Sequence, residues 1–167
     1  GGHPMEAYGE PLDSEGNFTA PVLDVHEFLA HQGLSESFRQ ALTPLPCTVA
    51  FHDACHMIHG QGIAAQPRDL LRAIPKLQLK EATEAGVCCG SAGIYNLVQP
   101  DEAAALGQLK ADDLSSTGAE IVASANIGCS LQLRRYLSQD GPKVEHPMEL
   151  LARSAGVGPF SPTPSQA

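Results

Sequence analysis

Leu45-Pro46-Cys47-Thr48-Val49-Ala50-Phe51 runs directly into His52-Asp53-Ala54-Cys55-His56-Met57-Ile58-His59-Gly60. The first stretch is short, apolar and branched, and reads as a β-strand; the second is polar, loop-like and carries a cysteine. The same order recurs twice. Leu77-Gln78-Leu79-Lys80-Glu81, a weaker strand, leads towards Ala85-Gly86-Val87-Cys88-Cys89-Gly90-Ser91-Ala92-Gly93. Glu120-Ile121-Val122-Ala123-Ser124 leads into Ala125-Asn126-Ile127-Gly128-Cys129-Ser130, which also reads as a loop. Helical patterns follow each loop. Residues 67–74 start with proline in the first turn and stop before Pro75. Residues 101–116 open with two acids after Pro100 and end at Gly118, and residues 131–137 form a third helix. Lys143-Val144-Glu145-His146 is a fourth strand, with residues 148–153 as a closing helix. Alternating strands and helices predict an α/β fold: a three-layer domain with a mainly parallel sheet of about four strands.

In an open parallel sheet, ligands gather beyond the carboxyl ends of the strands. Cys55, the pair Cys88 and Cys89, and Cys129 follow three different strands, so the topology brings four thiols to one edge. Cys47 lies within or just before a strand and is expected to pack as a small apolar residue. Adjacent cysteines in a glycine-rich loop suit metal or redox chemistry, because the backbone there can approach a bound group closely. A buried vicinal pair or a vicinal disulfide is the bland alternative. His52, His56 and His59 crowd the first loop and with Asp53 could supply ligands or a general base. His56, adjacent to Cys55, is the first choice among them. A thiol nucleophile, Cys55 or Cys89 with His56 or His146 as base, is a further reading. It does not account for cysteines spread over three strand ends.

Three separated words carry a resemblance. His52-Asp53-Ala54-Cys55-His56, Cys88-Cys89-Gly90-Ser91-Ala92-Gly93-Ile94-Tyr95 and Ala125-Asn126-Ile127-Gly128-Cys129 occur in the order of the cysteine-rich CCG domain. That domain is found in heterodisulfide reductase subunits and lactate-utilisation proteins. The words look most like the C-terminal part of a glycolate oxidase (glycolate dehydrogenase) iron-sulfur subunit, over residues 46–151. The resemblance implies an electron-transfer role, with a flavin-containing dehydrogenase subunit as partner and an acceptor downstream. It also implies Cys55, Cys88, Cys89 and Cys129 as ligands of an iron-sulfur cluster. Gly90, Ser91, Gly93 and Gly128 would then give backbone or hydroxyl donors to the sulfurs.

Two departures stand out. The ferredoxin-type Cys-x-x-Cys-x-x-Cys runs of such subunits are absent, so those cluster domains would lie elsewhere in the polypeptide or on a partner. The family pattern ends in Cys-x-x-Cys, whereas this chain reads Cys129-Ser130-Leu131-Gln132, which removes a fifth thiolate. Four thiolates suffice for a [4Fe–4S] cluster, and zinc accepts the same four in a tetrahedron. A zinc-binding or metal-free structural domain is the alternative reading.

The 167 residues are enough for one domain, here residues 45–155, with extensions on both sides. Residues 1–44 are expected to be a linking extension, loop-like over 1–20, with an amphipathic helix over 22–32 and a shorter one over 35–42. That first helix would bury Val22, Val25, Phe28 and Leu29. Residues 156–167 are small, polar and proline-containing and are expected to be disordered. A net charge of −9 argues against nucleic acid. Neither a transmembrane run nor a signal sequence is read. Five cysteines, an odd number, fit a reduced cytoplasmic protein, peripheral at most to the inner face of the membrane.

Overall fold

The structure, a computed structural model, describes Gly16 and residues 22–158. The loop expected over residues 1–20, apart from Gly16, and most of the tail expected to be disordered lie outside the described residues. Four strands form the sheet: β1 (Thr48–His52), β2 (Gln78–Lys80), β3 (Ile121–Ser124) and β4 (Lys143–Glu145). They lie in the order β2-β1-β3-β4 and every pairing is parallel. The chain moves from β1 to one side, then returns to pair β3 with the other flank of β1. The sheet therefore has its switch point between β1 and β3, where a crevice opens at the carboxyl ends.

Helices cover both faces, as the alternation of strand and helix requires. Two precede the sheet, α1 (Val25–Gln32) and α2 (Glu36–Ala41). Between β1 and β2 come a π-helical turn (His56–Gln61) and α3 (Ala65–Arg72). Between β2 and β3 come α4 (Tyr95–Val98) and α5 (Pro100–Ser116); α6 (Ile127–Tyr136) joins β3 to β4, and α7 (Pro147–Ser154) ends the fold.

Strand parity divides the core in two. Ala50, Val122 and Val144 point to one side, where they meet Leu114 of α5, Leu133 of α6, Cys89 and Cys129. Val49, Phe51, Ile121 and Ala123 point to the other, against Leu71 of α3 and Leu150 and Leu151 of α7. A sheet covered on both faces has no polar stripe, and β3 accordingly is buried at all four positions. Leu114 and Leu133 are fully buried, each contributing about 1.5–3 kcal/mol by leaving water. They fix α5 and α6, which carry the walls of the site.

The helices before the sheet form as expected, capped by Asp24 and Ser35, but α1 buries a different face. Val25 and Phe28 stay 43% and 48% exposed, while His26 is buried. His26 takes that place because its Nδ1 lies 2.7 Å from Asp24 and its ring packs on His146 at 5.5 Å. Among the described residues, no helix is long and apolar enough to cross a membrane.

Candidate metal centre

Each cysteine of the site is placed by a separate local device. After β1 the chain turns sharply, and Asp53, buried at that turn, accepts two hydrogen bonds from Arg68 of α3. Cys55 then sits at the N-terminal boundary of the π-helical turn, half-buried. The turn ends at Gly62 in the left-handed region, φ 71°.

The Cys88-Cys89 loop rests on α5. Lys110, buried in that helix, donates from Nζ to the carbonyls of Glu84 and Ala85. Asp113, one turn on, accepts from the amides of Thr83 and Glu84. Gly90 has φ 81°, and a Cβ there would stand 2.5 Å from the carbonyl oxygen of Ala103. Glycine is required at this point both by the backbone angle and by the close approach. Its amide donates to Cys88 Sγ at 3.4 Å.

Cys129 is helical, contrary to the loop expected there. α6 begins at Ile127, because the Asn126 side chain caps it by accepting from the Cys129 amide at 3.1 Å. The cap outweighs the weak helix propensities of Gly128 and Ser130. Cys129 is thereby held in a first helical turn facing the β1–β3 crevice.

The three approaches converge. Donor atoms of His52, Cys89 and Cys129 lie within 4.8 Å of one another, and all three residues are buried. Cys55 and Cys88 border this group, close enough for the Cys88 thiol to donate to Cys55 and for both to act on Cys129. Cys47 lies apart, among the side chains packed with α3 and α7, and its thiol pKa is raised chiefly by burial. All five cysteines are free thiols.

The thiols differ electrostatically. Cys89 falls to about 4, chiefly because Cys129 donates its S–H to it. The His52 ring and the Ser91 amide act in the same direction, against the opposing effect of burial. Cys129 is pushed up as the donor in that bond, and further by burial. Cys88 is raised mainly by burial, with the Gly90 amide opposing. Cys89 is thus a thiolate stabilised by the Cys129 thiol.

The remaining residues singled out from sequence are placed as follows. Ser91 is buried, and its Oγ lies beside Gly128, where a Cβ would come within 2.9 Å of it. Gly93 has φ 61° and opens onto free space. His56 is exposed, with its ring against Gly60, and His59 is also exposed. His146 caps α7, its Nδ1 accepting from the Met148 amide. Gln132, at the position of the family's last cysteine, is buried and donates from Nε2 to Ala103.

His52 is the residue that sequence reasoning passed over in favour of His56. It was readable only as a strand end, although its parity with Ala50 puts it on the face that carries Cys89 and Cys129. The ring is 1% exposed and neither nitrogen has a hydrogen-bond partner. A buried polar group left in that state costs about 1–3 kcal/mol. Four convergent cysteines and an unpartnered imidazole form a donor set suited to a thiolate-bound metal or an iron-sulfur cluster.

Residues 49–134 match the cysteine-rich CCG domain. The chain belongs to the CCG family. This CCG domain is similar to a subunit of the fumarate reductase (CoM/CoB) of Methanothermobacter marburgensis, 34% identical over 78% of the chain and 26% of the relative. It is 33% identical to the probable glycolate oxidase iron-sulfur subunit of Bacillus subtilis, over 66% of the chain and 26% of that protein. A subunit of the dihydromethanophenazine:CoB–CoM heterodisulfide reductase of Methanosarcina barkeri is 31% identical over 81% of the chain and 34% of its own length. The CCG domain therefore spans between a quarter and about a third of these relatives, two of which are named as subunits of reductases and one as an iron-sulfur subunit.

Proposed function

We propose that this CCG domain binds an iron-sulfur cluster through Cys55, Cys88, Cys89 and Cys129 and serves electron transfer in a glycolate dehydrogenase-type complex. Electrons would come from a flavin-containing dehydrogenase subunit, through ferredoxin-type cluster domains elsewhere in the assembly, to an acceptor. The reading places the domain in the cytoplasm, peripheral at most to the inner face of the membrane.

The observation that supports this reading is the grouping of Cys89, Cys129 and His52 within 4.8 Å at the sheet's switch point, with Cys55 and Cys88 bordering them. When bound, a cluster supplies one-electron storage, with a potential governed by charge, hydrogen bonds to sulfur and exposure. The chain's own part is to hold and tune. Cys89 is already deprotonated near neutral pH and needs little proton loss to ligate. The amides of Gly90 and Ser91 point at the sulfurs of Cys88 and Cys89, where they would stabilise the reduced, more negative state of a bound cluster. Cys89 and Cys129, 1% and 6% exposed, keep water from the inner side of the site.

Zinc is the second reading, favoured by the compactness of the His52, Cys89 and Cys129 donors. Tetrahedral zinc, with zinc–sulfur bonds of about 2.3 Å, sets its donors about 3.8 Å apart, and the three donors here lie within 4.8 Å of one another.

Anaerobic purification with iron, zinc and sulfide analysis separates the two. Iron with labile sulfide and a broad brown absorption, lost in Cys89→Ser, is the expected result. Stoichiometric zinc and a colourless protein would replace the electron-transfer reading with a structural one.

A further inference from the structure

We infer that His52 is a protein ligand of the metal group at this site, an imidazole donor standing where the family pattern would supply a further thiolate. The inference rests on the reading of the site as a cluster site, and concerns a residue which that reading leaves without a role.

Three observations converge on it. His52 is buried to 1% exposure, neither ring nitrogen completes a regular hydrogen bond, and the group its ring acts on is the Cys89 sulfur beside it. A nitrogen of that ring belongs to the same group of donors, within 4.8 Å, as the sulfurs of Cys89 and Cys129. Gln132, which stands at the place of the absent fifth cysteine, is taken up by the Ala103 carbonyl at 3.2 Å, the carbonyl that packs against Gly90. The site is therefore one donor short by family pattern, and among the described residues the buried donor grouped with Cys89 and Cys129 is His52.

The backbone makes this placement firm. His52 is the last residue of β1 and pairs in register with Ser124, the last of β3. It thus stands at the switch point itself, on a central strand, with Asp53 immediately after it fixed by Arg68. The ring cannot be carried away by loop motion without unpairing the middle of the sheet. His56, the histidine beside Cys55, has no such anchorage and faces solvent.

Ligation by a neutral imidazole in place of a thiolate lowers the negative charge of the cluster and raises its potential, as His ligation does elsewhere. The domain would then hold a more oxidising cluster than the four thiolates alone would give.

The test uses the protein labelled with 15N-histidine, loaded anaerobically with iron and sulfide and examined by pulsed EPR in its paramagnetic state. A strongly coupled nitrogen whose signal changes with the isotope, and which vanishes in His52→Cys, is expected. The same variant should keep its iron while its midpoint potential falls. A loaded cluster with no coupled histidine nitrogen, or with one that persists in His52→Cys, overturns the inference and leaves the cluster reading intact. Should no cluster assemble, the cluster reading fails and Co²⁺ binding to the same protein decides the ligand question. A loss of Co²⁺ affinity of tenfold or more in His52→Ala upholds His52 as a ligand; unchanged affinity overturns it.

Discussion

Arg68 holds both carboxylate oxygens of Asp53, at 2.8 and 2.6 Å, two residues before Cys55. The guanidinium also bonds Glu81 just beyond β2, and lies over the Phe51 ring with its carbon 4.8 Å from the centroid. One side chain of α3 therefore ties together the carboxyl ends of β1 and β2, from which Cys55 and the Cys88-Cys89 loop depart. Its pKa is raised above the ordinary guanidinium value, first by the hydrogen bond to Asp53 and then by that to Glu81.

The two acids are not equivalent partners. Asp53 is 4% exposed at its side chain and Glu81 is 50% exposed. Removing Arg68 as Arg68→Met leaves the Asp53 carboxylate buried and unpaired, an expected loss of about 3 kcal/mol. Glu81→Gln should cost less than about 1 kcal/mol, because a solvated pair is worth little. Denaturant unfolding of the two variants checks this, and equal losses would place the weight on Glu81 instead.

Two glycines of the cysteine-pair loop, equal in sequence terms, have different burdens. Gly90→Ala must bring a methyl group against the Ala103 backbone at 2.5 Å and hold alanine at φ 81°. Gly93→Ala meets only the backbone cost at φ 61°, about 1 kcal/mol, in open space. We expect Gly90→Ala to lose several-fold more stability than Gly93→Ala and to lose cluster loading with it, since the strained loop carries Cys88 and Cys89. Thermal unfolding and iron content measured on both variants would read the difference; indistinguishable variants would contradict the packing described.

The strand order was legible only in part. Short branched runs separated by helical patterns announce a parallel sheet, and the four strands fall where such runs occur. That β3 pairs with β1 and not with β2 is a long-range choice with no local signature, yet it decides that Cys129 meets Cys89. Cys129 looked like a loop residue because glycine and serine flank it, and a single cap by Asn126 reverses that. His52 shows the same limit. A histidine ending an apolar strand carries no mark of whether its side faces a helix or a cluster of thiols, until the partner face is known. The amphipathic reading of α1 holds for Leu29, which packs on the core, but a histidine pair, His26 on His146, takes the buried side from Val25 and Phe28, and Val22 is exposed as well.

The linked thiols of Cys89 and Cys129 make metal-free stability depend on pH in a defined direction. Both start from an ordinary value of 9.0; folding lowers Cys89 to about 4 and raises Cys129. Between about pH 4 and 9 the unfolded pair binds two protons and the folded pair one, so stability rises with pH. Above 9 the unfolded pair has lost both while the folded pair keeps one, and the sign reverses. From pH 6 to 8 this pair should add at most about 1.4 kcal/mol per pH unit to the unfolding free energy. Cys129→Ala removes the donor, returns Cys89 towards an ordinary thiol and should flatten that slope. Denaturant titrations of chelator-treated, reduced protein at three pH values, wild type against variant, measure the difference directly. Parallel slopes would mean that Cys89 keeps its proton in the folded state, and that ligation must displace it.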